Sequence, residues 1–247
     1  MKFSINASKL KLAATCMANN DLRYYLNGVL VTPREEGGVY LVATDGHRLM
    51  AVLDTTGSID KERIIRFPKS FVAKLPKIGS SQETATVTND RIELKHALFL
   101  TSEKGEIIHA HIATEDIIVD GQFPDWRRVI KMDPESVVRP GPINMRYLAT
   151  ALPAFASQTV GVGVRLYSMS DADCTCVRFD RHDYAVMVVM PMRDDRGDAS
   201  WLKQWANISP APAPVPKPVA DPAIAQGLTI AFIALAALDA RGMVVSS

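Results

Sequence analysis

Two residue pairs in the sequence have a spacing that could bind a metal ion. Cys174 and Cys176 are two positions apart, as are His109 and His111, so each pair would place two zinc ligands on one face of a strand. Neither pair has the CxxC spacing or the helical histidine spacing that is typical of zinc sites. We therefore expect no bound metal.

Other patterns that carry chemistry are missing from the sequence. Gly161 and Gly163 lack the third glycine of a dinucleotide-binding loop, and no GxxxxGK[ST] motif occurs. No arrangement of serine or cysteine with histidine and a carboxylate indicates nucleophilic catalysis. The sequence thus predicts a protein that is not an enzyme and that needs no cofactor.

The charge balance limits the kinds of partner. The chain has 247 residues, with 28 Lys and Arg against 27 Asp and Glu, and a net charge of +1. This excludes a protein that coats nucleic acid through its net charge, although a local basic face is still allowed. Three cysteines are too few for a disulfide framework. The longest strongly apolar run, 228–238, is shorter than the roughly 20 residues that span a bilayer. We expect a cytoplasmic protein without a membrane partner.

A change in composition divides the chain into four parts. Prolines stand at nearly every second position of 209–222, which favours an extended, semi-rigid linker over a helix. We expect folded domains at 1–130 and 131–193, a Pro- and Ala-rich linker at 194–222, and a short, helical C-terminal segment at 223–247.

A repeated unit is the main feature of the folded part. A strand, a capped helix and then a group of strands begin near residue 2, again near residue 63, and a helix with its strands recurs near residue 143. Asn6 or Ser8 caps the first helix. Asn144 caps the third, which Pro153 should shorten or kink and which carries the apolar residues Tyr147, Leu148, Ala151 and Leu152. This pattern predicts an α+β fold built from β-α-β-β-β units, with antiparallel sheets and helices on one face. The predicted strands after the first are 28–32, 39–44, 48–54, 63–67, 85–88, 91–94, 97–101, 107–111, 162–168, 175–179 and 184–190.

Three stretches of the sequence are long and distinctive. Residues 21–28 (DLRYYLNG) with 41–49 (LVATDGHRL) resemble the central domain of the bacterial DNA polymerase III β sliding clamp. Residues 120–129 (DGQFPDWRRV) resemble the end of that domain, and 188–193 (VVMPMR) the C-terminus of the clamp's last domain. The resemblance implies a clamp-like central domain followed by the second half of the last domain, without a counterpart of the first domain.

The resemblance implies a peptide-binding pocket between these two parts. In the family this pocket binds short linear motifs of DNA polymerases, clamp loaders and repair proteins. Met190 and Met192 suit varied apolar partners because their side chains are flexible and polarizable, and Arg128 offers a polar edge. Mapped by motif, the walls are Leu26, Thr44, Gly46, His47, Arg48, Leu49, Pro124, Arg128, Val129, Tyr147, Val177, Val189, Met190, Pro191 and Met192.

The resemblance also implies that the helices face DNA. Tyr24 and Tyr25 match a pair that lies near the DNA path, where an exposed ring can stack on a base. The alternative for the basic residues is an ordinary solvated helix face. We expect weak, non-specific and salt-dependent contact with double-stranded DNA. The residues concerned are Lys9, Lys11, Arg23, Tyr24, Tyr25, Lys69, Lys74 and Lys77.

Three functions remain open at this point. The resemblance implies a non-catalytic processivity factor that binds polymerase and repair proteins and tethers them to DNA. With three half-domain units per chain, a homo-oligomer of four chains would supply the twelve units of the family's ring. The alternative is a ring-less competitor that sequesters clamp-binding proteins, and a third option is a purely structural or interaction role.

Overall fold

The computed structural model describes residues 2–89, 96–130, 140–156, 162–169 and 173–192. Several predicted segments lie outside these residues, namely the whole strand at 91–94, the linker at 194–222 and the C-terminal segment at 223–247.

The described elements follow the predicted order closely. The strands are β1 (Phe3–Asn6), β2 (Val29–Pro33), β3 (Val39–Thr44), β4 (Arg48–Asp54), β5 (Ser58–Ile59), β6 (Arg63–Ile65), β7 (Thr86–Thr88), β8 (Ala97–Thr101), β9 (Ile107–Ile112), β10 (Ile118–Val119), β11 (Val164–Tyr167), β12 (Thr175–Phe179) and β13 (Ala185–Val189). The helices are α1 (Ala7–Ala14), α2 (Lys69–Lys74), α3 (Arg127–Ile130) and α4 (Met145–Ala149), with short 3-10 turns at Tyr24–Leu26 and Leu152–Ala154.

The strands form two antiparallel sheets. One has five strands in the order β5-β1-β7-β8-β9, and the other has eight in the order β10-β6-β2-β3-β4-β13-β12-β11. The strand that precedes each of α1 and α2 pairs in the sheet of the other unit, because β1 pairs with β7 and β6 pairs with β2. This exchange binds the first two repeated units to each other. The α+β prediction with antiparallel sheets is confirmed.

The eight-stranded sheet joins distant parts of the chain. β13 pairs with β4, so that Val188 lies opposite Leu49 and Val189 opposite Arg48. Both strands are rich in β-branched and aliphatic residues, which suit a strand that is buried on both faces. This pairing extends the sheet from β2, β3 and β4 of the first repeated unit into β13, β12 and β11 of the last one.

Asn6 determines where α1 begins. Its side-chain oxygen accepts a hydrogen bond from the backbone N–H of Lys9 at 3.0 Å, which satisfies one of the free donors of the first turn. The sequence left Asn6 and Ser8 as alternative caps. The structure selects Asn6, and Ser8 supports it because its hydroxyl donates to the Asn6 side chain at 2.8 Å.

Lys11 ties α1 to the end of α2. Its Nζ donates to the carbonyl oxygens of Leu75 at 2.6 Å, Ala73 at 3.0 Å and Val72 at 3.2 Å. The carbonyl of Val72 also accepts from the N–H of Leu75 at 3.2 Å, and an ammonium group is favoured at the negative end of a helix, where the last carbonyls lack helical partners. The residue is only 8% exposed, and burial lowers the pKa of Lys11, with a smaller contribution from the charge of Lys77.

The helix predicted after Asn144 ends before Pro153, which was expected to shorten or kink it. Asn144 caps α4 by accepting from the N–H of Arg146 at 3.0 Å, as predicted. Pro153 cannot continue an α-helix, and the chain forms a separate 3-10 turn at Leu152–Ala154. Leu152, which was expected on the buried face with Ala151, is 60% exposed as a result.

Two apolar clusters hold the sheets. The larger one lies between the sheets and the helices, and includes Leu10, Phe71 and Met187. We call the face of the eight-stranded sheet that points toward this cluster the inner face. The smaller cluster covers the opposite, outer face and includes Leu49 and Trp126. Among the described residues, no helix has the length and apolar character needed to cross a membrane.

Candidate functional site

The turn between β3 and β4 is held rigidly by its own side chains. The Thr44 hydroxyl donates to the carbonyl of Arg48 at 2.8 Å and accepts from the N–H of Gly46 at 3.0 Å. The Asp45 carboxylate accepts from the N–H of His47 at 2.9 Å and from Nε of Arg48 at 2.9 Å. Gly46 has a φ of +89°, which an L-residue with a side chain rarely adopts. The turn therefore presents the His47 ring in a fixed position.

The segment after β13 passes directly beside this turn. The N–H of Met190 donates to the carbonyl of His47 at 2.9 Å, and the N–H of Met192 donates to the carbonyl of Pro142 at 2.8 Å. Met190 is 47% exposed and Met192 is 51% exposed. Backbone hydrogen bonds thus hold two exposed methionines next to the turn, while Pro191 lies between them.

Helix α4 forms a third wall. The ring of Tyr147 stacks on His47 with 6.3 Å between ring centroids, and the Arg48 guanidinium lies 5.5 Å from the Tyr147 ring centroid. Arg48 also forms an ion pair with Asp45, so its guanidinium contacts both the Asp45 carboxylate and the Tyr147 ring. Three segments that are far apart in the sequence meet at these side chains.

An apolar row continues from the turn across the outer face. Thr44 lies opposite Leu49, which lies opposite Val188, which lies opposite Cys176. We use the name docking site for the β3–β4 turn, Tyr147, the segment 190–192 and this apolar row. Leu49 is 7% exposed, so it can serve as the floor of this site.

Helix α3 borders the apolar row. Trp126 packs in the outer cluster with Leu49 and Val188, and the carbonyl of Val129 accepts a hydrogen bond from the thiol of Cys174 at 3.5 Å. Val129 is 39% exposed, and Pro124 and Arg128 are also exposed. The motif 120–129 therefore lies against the same face as the site.

Three of the expected pocket residues are interior. Leu26 is 1% exposed, and Val177 and Val189 are fully buried in the larger cluster on the inner face. Successive strand residues point to opposite faces, so the neighbours Cys176 and Val188 are the ones on the outer face. This corrects the expected set: Val177 and Val189 support the site from behind, and they do not line it.

A groove that the sequence did not predict lies beside the docking site. It has a volume of about 490 Å³ and is lined by Trp126, Ile130, Ala51, Val186 and Tyr40, among others. Ala51 and Val186 are each two residues along their strands from the apolar row. The indole N–H of Trp126 is buried and has no hydrogen-bond partner. The motif 120–129 contains Trp126, but its spacing gave no sign of a second groove.

The two basic residues of α1 are used inside the protein. Lys9 Nζ lies 3.3 Å from a carboxylate oxygen of Asp54, whose side chain is fully buried, and 5.2 Å from the ring centroid of Tyr184. Lys11 donates to the three carbonyls at the end of α2. The expectation that Lys11 faces DNA is corrected, because all three donors of its ammonium group are occupied and the residue is buried.

Arg23 connects the loop before β2 to the β3–β4 turn. Its guanidinium donates to the Asp21 carboxylate at 2.8 and 3.0 Å, and to the carbonyl of Asp45 at 3.1 Å. The hydrogen bonds from Arg23 lower the pKa of Asp21 to about 2. Tyr24 is 54% exposed and packs edge-to-face on Tyr25, with 5.8 Å between the ring centroids. Tyr24 is therefore the member of the pair that is open to a ligand.

Helix α2 and the segment that follows it carry exposed basic residues. Lys69 and Lys74 lie on α2 and Lys77 lies three residues after its end; all three are exposed, and we call them the α2 lysines. Lys74 Nζ lies 3.3 Å from Nε2 of His109 on the neighbouring β9. Burial lowers the pKa of His109, and the nearby charges of Lys74 and His111 lower it further.

The two residue pairs with metal-ligand spacing are in different sheets. His109 and His111 lie on β9 against the ring of Phe71, with centroid distances of 5.9 and 6.1 Å, whereas Cys176 is on β12. Burial raises the pKa of Cys176 to about 11, so its thiol is protonated at neutral pH. Within the residues described, no group of three metal-binding side chains comes together.

Known proteins match this chain over part of its length. The family model for the DNA polymerase III beta subunit, central domain, matches residues 4–125. The beta sliding clamp of Vibrio cholerae is 32% identical over 157 residues, which are 61% of this chain and 38% of that protein. The beta sliding clamp of Escherichia coli K12 is 30% identical over 154 residues, again 61% of this chain and 38% of that protein.

A solved structure agrees in fold. The crystal structure of the DNA polymerase sliding clamp from Pseudomonas aeruginosa has a TM-score of 0.53 and 22% identity, and the likeness covers 78% of this chain and 66% of that one. The chain spans 38% of the length of the two curated relatives. The chain is thus similar in sequence and in fold to DNA polymerase III β sliding clamps, and its residues 4–125 match the central domain of that family.

Proposed function

We propose that this chain is a non-catalytic DNA replication accessory protein that binds short linear peptides of DNA polymerases, clamp loaders or repair proteins at the docking site. It holds these partners near double-stranded DNA, as a processivity factor does. In this proposal residues 1–130 form the central-domain part and residues 131–193 supply the second wall of the site.

One observation carries the proposal. The carbonyl of His47 accepts from Met190 while its ring stacks on Tyr147, so the β3–β4 turn, the end of β13 and α4 meet at a single residue. These three segments come from both parts of the chain that resemble the clamp. A site assembled by the fold from such distant segments, with exposed methionines at its rim, fits a binding role better than a role in packing alone.

The side chains define the kind of peptide that would bind. Exposed apolar atoms of Met190, Met192 and Val129 would receive aliphatic or aromatic side chains of the peptide. Arg128 is exposed and can donate to a peptide carbonyl or carboxylate. Arg48 is less available because Asp45 and Tyr147 already hold it. The partner is therefore an extended, mainly apolar segment with an acceptor group at one end.

Contact with DNA would use the α2 lysines and Tyr24. Lysines on an exposed helix neutralise phosphates without reading sequence, and an exposed tyrosine ring can stack on an unpaired base. Each phosphate neutralised contributes about −0.9 to the slope of log K against log salt concentration. Binding is weak, independent of sequence and lost as salt is raised.

A second candidate function is that of a competitor that sequesters clamp-binding proteins without forming a ring. One observation favours it: all residues of the docking site belong to one chain, so peptide capture does not need an oligomer. The two functions share the docking site, and only the first requires contact with DNA.

Fluorescence polarisation with a labelled peptide tests the docking site. The probe is a fluorescein-labelled peptide with a glutamine followed by spaced leucines and a phenylalanine. The variants His47→Glu and Met190→Glu place a charge against the apolar surface, and each is expected to weaken binding at least about tenfold, because about 1.4 kcal/mol corresponds to that factor.

The matched control is Met145→Glu. Met145 is 79% exposed on α4, two residues from Tyr147 and so on a different side of the helix. Met145→Glu, like Met190→Glu, replaces methionine with glutamate, but outside the docking site. The peptide affinity of this variant should equal that of the unmodified chain. Equal affinity in all three variants, or no binding by the unmodified chain, would overturn the proposal.

A further inference from the structure

The groove beside Trp126 continues into a second hollow on the outer face of the eight-stranded sheet. The groove has a volume of about 490 Å³ and the second hollow has a volume of about 390 Å³. Ile130 of α3 and Val186 of β13 line both hollows, so the two share a wall. Tyr167 and Arg178 border the second hollow on its other side. We call the two hollows together the outer trough.

The outer trough begins where the docking site ends. Cys176 belongs to the apolar row of the docking site and also lines the second hollow. Ala51 lies opposite Val186, and each is two residues along its strand from the apolar row. Two residues of a strand rise about 7 Å, which is also the reach of about two residues of an extended peptide. A peptide in the docking site therefore enters the trough within about two further residues.

The walls of the groove suit one bulky apolar side chain. The ring centroids of Trp126 and Tyr40 lie 5.4 Å apart, and Ile130 and Val186 add aliphatic surface. The volume of the groove is within the range of roughly 300–1,000 Å³ that is usual for ligand pockets. An aromatic side chain that packs against other aromatic rings is stabilised beyond the effect of its buried area. We therefore expect an aromatic or large aliphatic residue of the peptide in the groove.

Trp126 also supplies the groove with a donor that has no acceptor. The residue is 8% exposed, and its indole N–H is buried without a hydrogen-bond partner. A buried donor that stays unpaired costs free energy, which a carbonyl or carboxylate beside it would recover. An extended peptide has a backbone carbonyl at every residue. The unpaired indole therefore indicates a ligand with acceptor groups rather than a purely apolar one.

The rim of the groove has a positive charge that is free to pair. Arg127 is exposed, and its guanidinium lies 4.6 Å from the ring centroid of Trp126. Within the described ranges of the chain, no carboxylate forms an ion pair with Arg127. Arg178, in contrast, is paired with Asp183 at 2.7 Å. An acidic residue of the peptide, next to its bulky residue, would complement Arg127.

We propose that the outer trough binds the segment that flanks the docked motif in the same partner peptide. This segment is extended, with an aromatic or large aliphatic residue about two positions from the motif and an acidic residue next to it. The inference rests on the proposed function, because the docking site holds the neighbouring part of the peptide. Its consequence is selectivity: partner proteins that share one motif differ in affinity according to their flanks.

Fluorescence polarisation with longer probes tests the proposal. The core probe is the labelled peptide described for the docking site. Two longer probes add Ala-Phe-Asp-Ala, one after the motif and one before it, and two control probes add Ala-Ser-Ser-Ala at the same ends. At least one longer probe is expected to bind the unmodified chain about tenfold more tightly than its serine control, which corresponds to about 1.4 kcal/mol.

Two variants show whether the gain in affinity arises in the trough. Ile130→Glu places a charge against the apolar wall and should abolish the gain, whereas Arg127→Gln should reduce it by about threefold, because an exposed ion pair contributes little. The matched controls are Ile112→Glu and Lys104→Gln. Ile112 is 73% exposed on β9, and Lys104 is exposed in the turn before β9, so both lie at the five-stranded sheet. Both controls should keep the full gain.

The two variants differ in their risk of misfolding. Ile130 is partly buried against the outer cluster, so circular dichroism has to show that the Ile130→Glu chain keeps its β-sheet spectrum. Arg127 is exposed, and its replacement by glutamine leaves the packing of the outer cluster intact. Arg127→Gln therefore gives a result even if Ile130→Glu does not fold.

The core probe separates this proposal from the proposed function. If the core probe binds and His47→Glu weakens it, but neither longer probe exceeds its serine control, the docking site stands and the trough proposal fails. A gain that persists unchanged in both trough variants also overturns the proposal. So does a dimer in light scattering that Ile130→Glu dissociates, which would assign the trough to a second copy. If the core probe does not bind, the proposed function fails and the trough proposal fails with it.

Discussion

Helices α1 and α2 both carry lysines that the sequence assigned to DNA, but the fold uses the two sets differently. On α1, Lys9 contacts buried Asp54 and Lys11 caps the end of α2. On α2, the lysines project from the surface. Lysines on a helix face therefore differ in role. The role of each depends on whether a buried carboxylate or a helix end lies within reach of its ammonium group.

The largest effect on stability is expected for Lys11→Met. Methionine keeps most of the apolar stem but removes the ammonium donors, so the carbonyls of Ala73 and Leu75 lose this partner, while that of Val72 keeps the N–H of Leu75. Hydrogen bonds to a charged group contribute about 1.5–3 kcal/mol, so we expect the free energy of unfolding to fall by about 2 kcal/mol. Urea unfolding followed by circular dichroism measures it. A change below about 0.5 kcal/mol would mean that the cap is not needed.

A smaller effect on stability is expected for Lys9→Met. The Lys9 side chain is 19% exposed and its contact with Asp54 is longer, at 3.3 Å. Asp54 also accepts from the N–H of Asn6 at 2.7 Å and from the hydroxyl of Thr56 at 2.9 Å, so its charge keeps partners. We expect a loss of about 1 kcal/mol in the same unfolding experiment. A loss greater than that of Lys11→Met would reverse the comparison.

Replacing the α2 lysines is expected to have the smallest effect on stability and a clear effect on DNA binding. The triple variant Lys69→Gln/Lys74→Gln/Lys77→Gln should change the free energy of unfolding by less than about 0.5 kcal/mol, as surface substitutions usually do. It should weaken binding to a double-stranded oligonucleotide and make the salt dependence less steep, by up to about 0.9 in slope for each lost phosphate contact. Fluorescence anisotropy across a salt series measures both quantities.

A control with the same loss of charge sharpens this result. The triple variant Lys2→Gln/Lys61→Gln/Lys104→Gln removes three exposed lysines outside α2. If this variant loses as much DNA affinity as the α2 variant, net charge rather than the α2 surface explains binding.

Local pattern was sufficient for much of the fold. β3, β4, β8 and β12 have the predicted bounds, because each combines aliphatic or β-branched residues with clear turn residues at its ends. The capping roles of Asn6 and Asn144 also follow from residue type. The short strands β5 and β10 were missed, since two residues are too few to show a period.

The candidate site shows what the sequence could not supply. Motifs placed His47, Tyr147 and Met190 in one set, and the structure brings them into contact. The choice of Val189 rather than Val188 depends on the register of β13 against β4, and a difference of one residue moves a side chain to the other face. The burial of Lys11 depends on α2, more than fifty residues away, which no local pattern contains.

The conformation of Gly46 limits which substitutions the chain can accept at positions 46 and 23. Its φ of +89° already disfavours other residues, and a Cβ atom there would lie 2.8 Å from Nη1 of Arg23. Replacement at 46 would displace the guanidinium that bridges Asp21 and the carbonyl of Asp45. The two positions are therefore linked: shortening residue 23 would remove the steric contact with a side chain at 46 but not the unfavourable φ, so glycine stays preferred at 46 even then.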